Sequence, residues 1–111
     1  MSAAVSVDMA PGEFEVGLGS LGTLRGRVDP ATILEVEKRL GSFMALGHDA
    51  ASKRLGFGAA VTLIEVLCRP VMGQGMPTRS EIELGVLEAG LSNVVADLAR
   101  PFVYALTGRT V

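Results

Sequence analysis

Residues 57–106 contain three consecutive stretches in which apolar residues recur at steps of three and four. That spacing places the apolar side chains of each stretch on one face of a helix. In the first stretch the opposite face carries Thr62, Glu65 and Arg69. The pattern predicts a chain of amphipathic helices that present packed surfaces. The apolar positions of the first stretch are Phe57, Ala60, Val61, Ile64, Leu67, Cys68 and Val71.

The chain is long enough, at 111 residues, for one domain whose core needs no disulfide or metal. Apolar residues make up 49% of it and charged residues only 20%. We therefore expect some apolar side chains to stay at the surface, as in an oligomer or a protein that binds a partner. The alternative is that the chain is an ordinary one, whose apolar fraction is high only because alanine and glycine are abundant.

Charge and cysteine content argue against several classes of protein. The net charge is −2, and lysines and arginines are scattered, whereas a nucleic-acid-binding protein normally carries a basic stripe. The single cysteine, Cys68, cannot form an internal disulfide and fits a reducing compartment. Residues 1–14 lack the pattern of a signal peptide, and no apolar stretch is long enough to cross a bilayer. We expect a cytoplasmic protein.

A β-hairpin is predicted ahead of the helices. Apolar and polar residues alternate from residue 13, which is the period of a strand, and a glycine-rich turn at 19–22 leads to a second strand at 23–28. An isolated hairpin with glycines in its strands is marginal in water. It must therefore pack on the helices or pair with another chain. The residues expected on one face are Phe14, Val16 and Leu18 of the first strand and Leu24 and Gly26 of the second.

The dipeptide Asp29-Pro30 is a strong helix start, because Asp caps free N–H groups and Pro suits the first helical position. Lys-Arg-Leu-Gly occurs at residues 38–41 and again at 53–56. The recurrence is either an internal repeat with a basic binding motif or two helix ends, each with cations and a terminating glycine. The second interpretation is favoured. It predicts a short helix from Asp49 to Leu55, after residues 43–46 that extend or follow the first helix.

Three further helices are predicted. The apolar stretch described above begins near Gly58, and the next helix opens with a capping box formed by Thr78 and Glu81. Ser92 is expected to cap the last helix, which Pro101 should kink or split. Gly90 and Gly108 are expected to end the last two helices. The apolar face of the first of these is expected to hold Ile82 and Val86, with Leu84 and Leu87 as further candidates.

These elements predict a mainly α fold, which is α+β in strict terms. Residues 13–108 form a single domain, a small bundle of four to five short helices preceded by the hairpin, and residues 1–12 form a flexible tail. Burying one Val, Leu or Ile contributes roughly 1.5–3 kcal/mol, and a short helix alone is marginal. The helices must therefore pack on one another to be stable.

The chain is poor in groups that do chemistry, with one His, one Cys and one Tyr. His48 precedes Asp49, but sequence neighbours rarely face each other in a helix, so an exposed loop or capping position is favoured over a catalytic pair. A metal site lacks a second His or Cys ligand. Residues 17–22 match the dinucleotide fingerprint Gly-x-Gly-x-x-Gly, but no helix follows them, so a turn is favoured. We expect no catalytic residue, cofactor or metal, and no enzyme.

The order of motifs gives a resemblance. The hairpin precedes an Asp-Pro-capped helix that ends in the sequence of residues 33–41, an apolar stripe at 59–67, a Pro77-Thr78 cap, a Glu-x-Gly-Leu helix end at 88–91 and an alanine-containing last helix. Over roughly residues 13–108 this order resembles the small tail assembly chaperones encoded beside the tail-tube gene of gene transfer agents and related siphophages. Members of that family often carry a Trp in the middle helix, but this chain has no Trp. The hairpin of this chain is also richer in glycine than the hairpin of the family.

The resemblance implies a role in tail morphogenesis, with no catalytic residues. Such chaperones coat the long tape-measure protein, help tail-tube subunits polymerise on it and then leave. The protein would act in the host cytoplasm and be absent from the mature particle, with tape-measure and tail-tube proteins as partners, or with itself as a homo-oligomer. A helix-in-groove contact would suit this task. We expect one of two partly accessible faces to bind the partner: Phe57, Ile64 and Leu67, or Val95, Leu98 and Phe102.

The alternative function is a small DNA-binding or regulatory module. Helices capped by Thr78 and Ser92 and joined at Gly90 could mimic a helix-turn-helix. The recognition helix would be residues 93–106, in which Arg100 is the one cation, and insertion into a groove of DNA needs more positive charge. A small enzyme is a third interpretation, disfavoured by the residue inventory.

Overall fold

The structure is a computed structural model that describes residues 12–108. In that range a two-stranded antiparallel hairpin precedes five α-helices. The predicted fold class, a small helical bundle with an N-terminal hairpin, is therefore confirmed. The elements are β1 (Glu13–Gly17), β2 (Thr23–Arg27), α1 (Pro30–Leu40), α2 (Phe43–Ala51), α3 (Phe57–Met72), α4 (Arg79–Ala89) and α5 (Leu91–Thr107).

The hairpin has the predicted faces. Phe14 lies opposite Gly26 and Val16 lies opposite Leu24, and the side chains of Phe14, Val16 and Leu24 are buried in the core. Gly12 also belongs to the hairpin, because its carbonyl accepts a 2.9 Å hydrogen bond from the N–H of Val28. The predicted flexible tail of residues 1–12 is therefore wrong for Gly12. Its other residues, 1–11, lie outside the described range.

Helix α3 is the central element, packing against β2, α1, α4 and α5. Its buried arc is broader than the predicted stripe, since Leu63 and Val66 are buried as well. Thr62, Glu65 and Arg69 remain at its outer side, as predicted. Arg79 of α4 donates to Thr62 and Glu65, so the polar side of α3 joins the two helices.

Glycine at position 26 lets α3 approach the hairpin. A Cβ atom there would lie 2.7 Å from the ring of Phe14 and 3.0 Å from the Sγ atom of Cys68. Both distances are too short for a side chain to fit without movement of the core. The glycine that weakens β2 as an isolated strand therefore permits the contact that holds the strand in place.

Both predicted capping motifs are present. The Asp29 carboxylate accepts from the N–H of Thr32, and the Thr32 hydroxyl accepts from the N–H of Asp29, each at 2.9 Å. Thr78 and Glu81 form the equivalent box at the start of α4. Reciprocal caps of this kind satisfy N–H groups that a helix leaves free. The starts of α1 and α4 are thus fixed by local sequence.

The predicted helix from Asp49 to Leu55 is wrong. Helix α2 begins at Phe43, because the Ser42 side chain accepts a 3.2 Å hydrogen bond from the N–H of Ala45. It ends at Ala51, and Lys53 then adopts a φ of 60°. The second Lys-Arg-Leu-Gly segment therefore lies in the connection to α3, whereas the first ends α1.

For α5, the predicted cap at Ser92 is wrong, and of the kink or split predicted at Pro101 the split is wrong. One residue, Gly90, separates α4 from α5, so the helix has already begun at Leu91 and Ser92 is inside its first turn without capping it. The helix is not split at Pro101, which is buried within it. Proline costs a helix one backbone hydrogen bond, and packing of Leu98 and Phe102 on either side holds the helix together. Gly108 ends α5 as predicted.

Candidate partner-binding surfaces

The two helix faces expected to bind a partner form the core instead. Both faces contribute to one continuous apolar cluster at the centre of the bundle, because α3 is surrounded by other elements. Phe57 alone among the six residues is partly exposed. The predicted accessibility is wrong for five side chains, which are at most 4% exposed: Ile64, Leu67, Val95, Leu98 and Phe102.

Among residues 12–108, six other large apolar side chains are exposed. Clustered apolar exposure marks a binding surface more often than single exposed residues do. Three of the six lie between α2 and α5, two lie on α4 and one lies on α1. Their exposed fractions are 68% for Met44, 41% for Val103, 45% for Leu106, 67% for Leu84, 66% for Leu87 and 66% for Leu34.

The first cluster lines a groove between α2 and α5, here called the α2–α5 groove. The cavity has a volume of about 310 Å³. Among the described residues, its lining includes no Asp, Glu, Lys or Arg, and His48 is its one ionisable side chain. The groove is therefore suited to an apolar occupant. The lining comprises Met44, His48 and Ala51 from α2 and Ala99, Val103 and Leu106 from α5, above Phe102.

Close packing of α2 on α5 makes the base of this groove. A Cβ atom at Gly47 would lie 3.0 Å from Leu106 and 3.1 Å from Phe102, so glycine permits the close approach. The rings of Phe43 and Phe102 lie 4.5 Å apart between centroids. Met44, His48 and Ala51 recur at steps of four and three, and this spacing in the sequence could have identified the α2 wall.

The second cluster lines a groove between the turn of the hairpin and α4, here called the hairpin–α4 groove. Its volume is about 600 Å³. Leu84 and Leu87 were predicted on the buried face of α4, and that prediction is wrong. Ile82 and Val86 occupy that face and are fully buried. The groove is lined by Ser20 and Leu21 of the turn and by Glu81, Leu84, Leu87 and Glu88 of α4.

Two contacts hold the hairpin turn against α4. The Oε1 atom of Glu88 accepts a 2.6 Å hydrogen bond from the backbone N–H of Ser20. Because this bond stabilises the charged carboxylate, it lowers the pKa of Glu88 below its usual range. At Gly85, a Cβ atom would lie 3.0 Å from the carbonyl oxygen of Leu18, so the absence of a side chain lets the turn approach the helix.

The groups considered for chemistry are not brought together. His48 is exposed on α2 rather than in a loop. Burial raises the pKa of the Cys68 thiol to about 12, and a thiol in that state is a poor nucleophile. Gly17 ends β1 and residues 18–22 form the turn that leads into β2, so the fingerprint lies at a hairpin turn, as favoured. Across residues 12–108, no three His, Cys, Asp or Glu side chains are grouped to hold a metal.

The helix that would read DNA in the alternative function lies within α5. Val94, Val95 and Leu98 are directed into the core. Arg100 is the one cation between the described ends of α5. DNA binding stays a prediction, and a mobility-shift assay at low salt tests it, because phosphate contacts make such binding sensitive to salt.

None of the helices that the structure describes is both long and apolar enough to cross a membrane.

Comparison with known proteins gives no relative. The chain matches no protein family, no curated protein and no solved structure. The likeness to tail assembly chaperones therefore depends on the order of the hairpin, the capped helices and the apolar stripes alone. The candidate surfaces depend on their own geometry.

Proposed function

We propose that the protein is a tail assembly chaperone that binds an amphipathic helix of the tape-measure protein in the α2–α5 groove. The observation that supports this proposal is the grouping of Met44, Val103 and Leu106, three exposed large apolar side chains, in one groove free of charged residues among those described. A bare tape-measure helix exposes an apolar stripe along its length. A groove of this kind can cover part of such a stripe.

The chemistry of the groove suits reversible binding. Fully burying one large apolar side chain contributes roughly 1.5–3 kcal/mol, and the three side chains are already partly buried. Their total contribution is therefore a few kcal/mol, which does not exceed the low end of the roughly 4–15 kcal/mol cost of association, so these three contacts alone do not hold a partner tightly. Several copies along one helix would cover it and still dissociate as tail-tube subunits replace them. Methionine at position 44 adapts its shape to different apolar partners.

The proposal places the protein in the host cytoplasm during assembly and outside the mature particle. The tail-tube protein is its second partner, since the chaperone must hand the tape-measure helix to the tube. Homo-oligomers on the tape-measure protein are compatible with this role, because neighbouring copies would bind successive segments of one helix.

Co-expression with the tape-measure protein of the same genetic element tests the proposal. We expect the wild-type chain to co-purify with the tape-measure protein and to raise its soluble fraction. Met44→Asp and Leu106→Asp should remove both effects, because a charge in the groove opposes an apolar occupant. Leu34→Asp, a matched change at an exposed leucine on α1, should leave both effects intact.

Circular dichroism of each variant shows whether the fold is kept. Co-purification lost in folded groove variants and retained in the α1 control supports the proposal. Equal capture by all folded variants would exclude the α2–α5 groove as the site. Failure of the wild-type chain to bind tape-measure protein would exclude the chaperone function.

A further inference from the structure

The hairpin–α4 groove differs chemically from the α2–α5 groove and shares no lining residue with it. We propose that it is a second docking surface, which binds a basic amphipathic helix of a partner protein. Apolar side chains of that helix would cover Leu84 and Leu87, and its lysines or arginines would pair with Glu81 and Glu88. This proposal does not depend on the function of the α2–α5 groove.

The exposed leucines give the surface its apolar centre. Leu84 and Leu87 are 67% and 66% exposed, although the core side of α4 is fully occupied by Ile82 and Val86. Leu21 of the hairpin turn packs against the core and forms the opposite wall. Helix α4 thus has one apolar stripe for its own core and a second that faces outward. Outward stripes at helical spacing are the form in which one helix docks on another.

The charges of the surface select a basic occupant. Glu81 and Glu88 lie seven residues apart on α4, on one side of the helix and about 10 Å apart along its axis. No Lys or Arg lines the groove among the described residues. Arg79, the cation of α4, is paired with Glu65 of α3 and Glu83 of α4. A partner helix with cations two turns apart would therefore meet two carboxylates that lack a competing cation in the groove.

Both carboxylates are already held in position. Glu81 accepts a 2.8 Å hydrogen bond from the N–H of Thr78, and Glu88 accepts one of 2.6 Å from the N–H of Ser20. Each carboxylate can accept about four hydrogen bonds, so each keeps capacity for a partner's cation. Exposed ion pairs usually gain little because two mobile side chains must be ordered. Here one side of each pair is ordered before binding, which favours the contact.

The test uses the full chain and a labelled synthetic helical peptide that carries two lysines seven positions apart, with leucines three and six positions after the first. A matched peptide carries glutamate in place of both lysines. Fluorescence anisotropy measures the affinity of each peptide. We expect the lysine peptide to bind about tenfold more tightly than the glutamate peptide at low salt, and the difference to shrink as salt screens the charges.

Variants of the chain locate the contact. Leu84→Ser together with Leu87→Ser should weaken binding of the lysine peptide by about tenfold or more. Glu81→Gln and Glu88→Gln should each weaken it by about threefold, and glutamine keeps an oxygen for the backbone N–H group that each residue binds. Leu34→Ser and Glu35→Gln on α1, which make the same changes elsewhere on the surface, should leave the affinity unchanged.

Equal affinity for the two peptides, or equal losses in the α4 and α1 variants, would overturn the proposal. Sedimentation of the wild-type chain gives the remaining outcome. Self-association that disappears in the Leu84→Ser, Leu87→Ser variant would show that a second copy of this chain occupies the groove, which also overturns the proposal of a basic partner helix.

Discussion

Glu88 of α4 and Ser20 of the hairpin turn are 68 residues apart in the chain, and a 2.6 Å hydrogen bond joins the carboxylate of the first to the backbone N–H of the second. A similar bond of 3.1 Å joins Asp97 of α5 to the N–H of Gly17. Two carboxylates from the last two helices thus hold the hairpin by its backbone. These hydrogen bonds add stability that the hairpin lacks alone, since two isolated strands are marginally stable in water.

The Glu88 contact predicts a dependence of stability on pH. Its pKa is lowered in the folded state, so the charge contributes stability above the unfolded pKa, and this contribution is lost as the pH falls through the folded pKa. Glu88→Gln should therefore be less stable than the wild type at neutral pH, and the difference should shrink on acidification. Urea unfolding across an acidic series measures it. A difference independent of pH in that series, with Glu35→Gln as the charge-matched control, would contradict the assignment.

Leu67→Asp should unfold the protein rather than remove a binding face. Leu67 has no exposed surface, and the change both deletes buried methyl groups and places a charge in the core. We expect a loss of about 4 kcal/mol or more in the free energy of unfolding. Urea unfolding measures it, with Leu34→Asp on the surface of α1 expected within about 0.5 kcal/mol of the wild type. A folded Leu67→Asp variant would show that this side of α3 is not part of the core.

Gly26→Ala should destabilise the fold through overpacking. The added Cβ would meet the ring of Phe14 and the Sγ atom of Cys68, which predicts a loss of about 1–3 kcal/mol. Gly17→Ala, in the paired strand, is the matched control, because nothing lies within 4 Å of the Cβ position there. Thermal unfolding of the two variants compares them. Equal stabilities would show that the interface between β2 and α3 can expand at no cost.

Cys68 should resist thiol reagents in the folded protein. The side chain is buried and its pKa is raised to about 12, so very little reactive thiolate is present near neutral pH. An aromatic disulfide reagent at mildly alkaline pH should react fully in urea and at a rate limited by opening of the fold in buffer. Rapid reaction in buffer would show that the interface between β2 and α3 opens easily.

Local sequence predicted those elements whose signals are local. The Asp29 and Thr78 caps, the alternation in the hairpin and the α3 stripe each depend on residues a few positions apart, and all are present. The second Lys-Arg-Leu-Gly segment gave a wrong helix prediction. Ser42 caps α2 at its start, so the helix begins and ends earlier in the chain than the cations of that segment suggest. The same four-residue sequence therefore ends α1 at its first occurrence and lies in the connection between α2 and α3 at its second.

The two proposed binding surfaces could not be predicted from local sequence for a different reason. Helix α4 carries two apolar stripes, and spacing alone does not say which one packs inward. Which stripe is buried depends on contacts with distant segments, among them the close approach of Gly85 to the carbonyl oxygen of Leu18. The stripe beside that contact, with Ile82 and Val86, becomes core. In the same way, α3 and α5 were expected to keep a free face, but the hairpin and α2 cover them.

The hydrogen bonds from the hairpin backbone to Glu88 and Asp97 also affect the order in which contacts can form during synthesis. Strand β1 leaves the ribosome first, yet its partner carboxylate on Asp97 is made 80 residues after Gly17. Long-range contacts of this kind form late in folding, because the chain between the two residues must first lose the entropy of closing a large loop. Until the final helix emerges, the backbone N–H of Gly17 therefore lacks its carboxylate partner. A chain interrupted between α4 and α5 would lack this hydrogen bond, and an unpaired N–H at a strand edge favours pairing with a neighbouring chain.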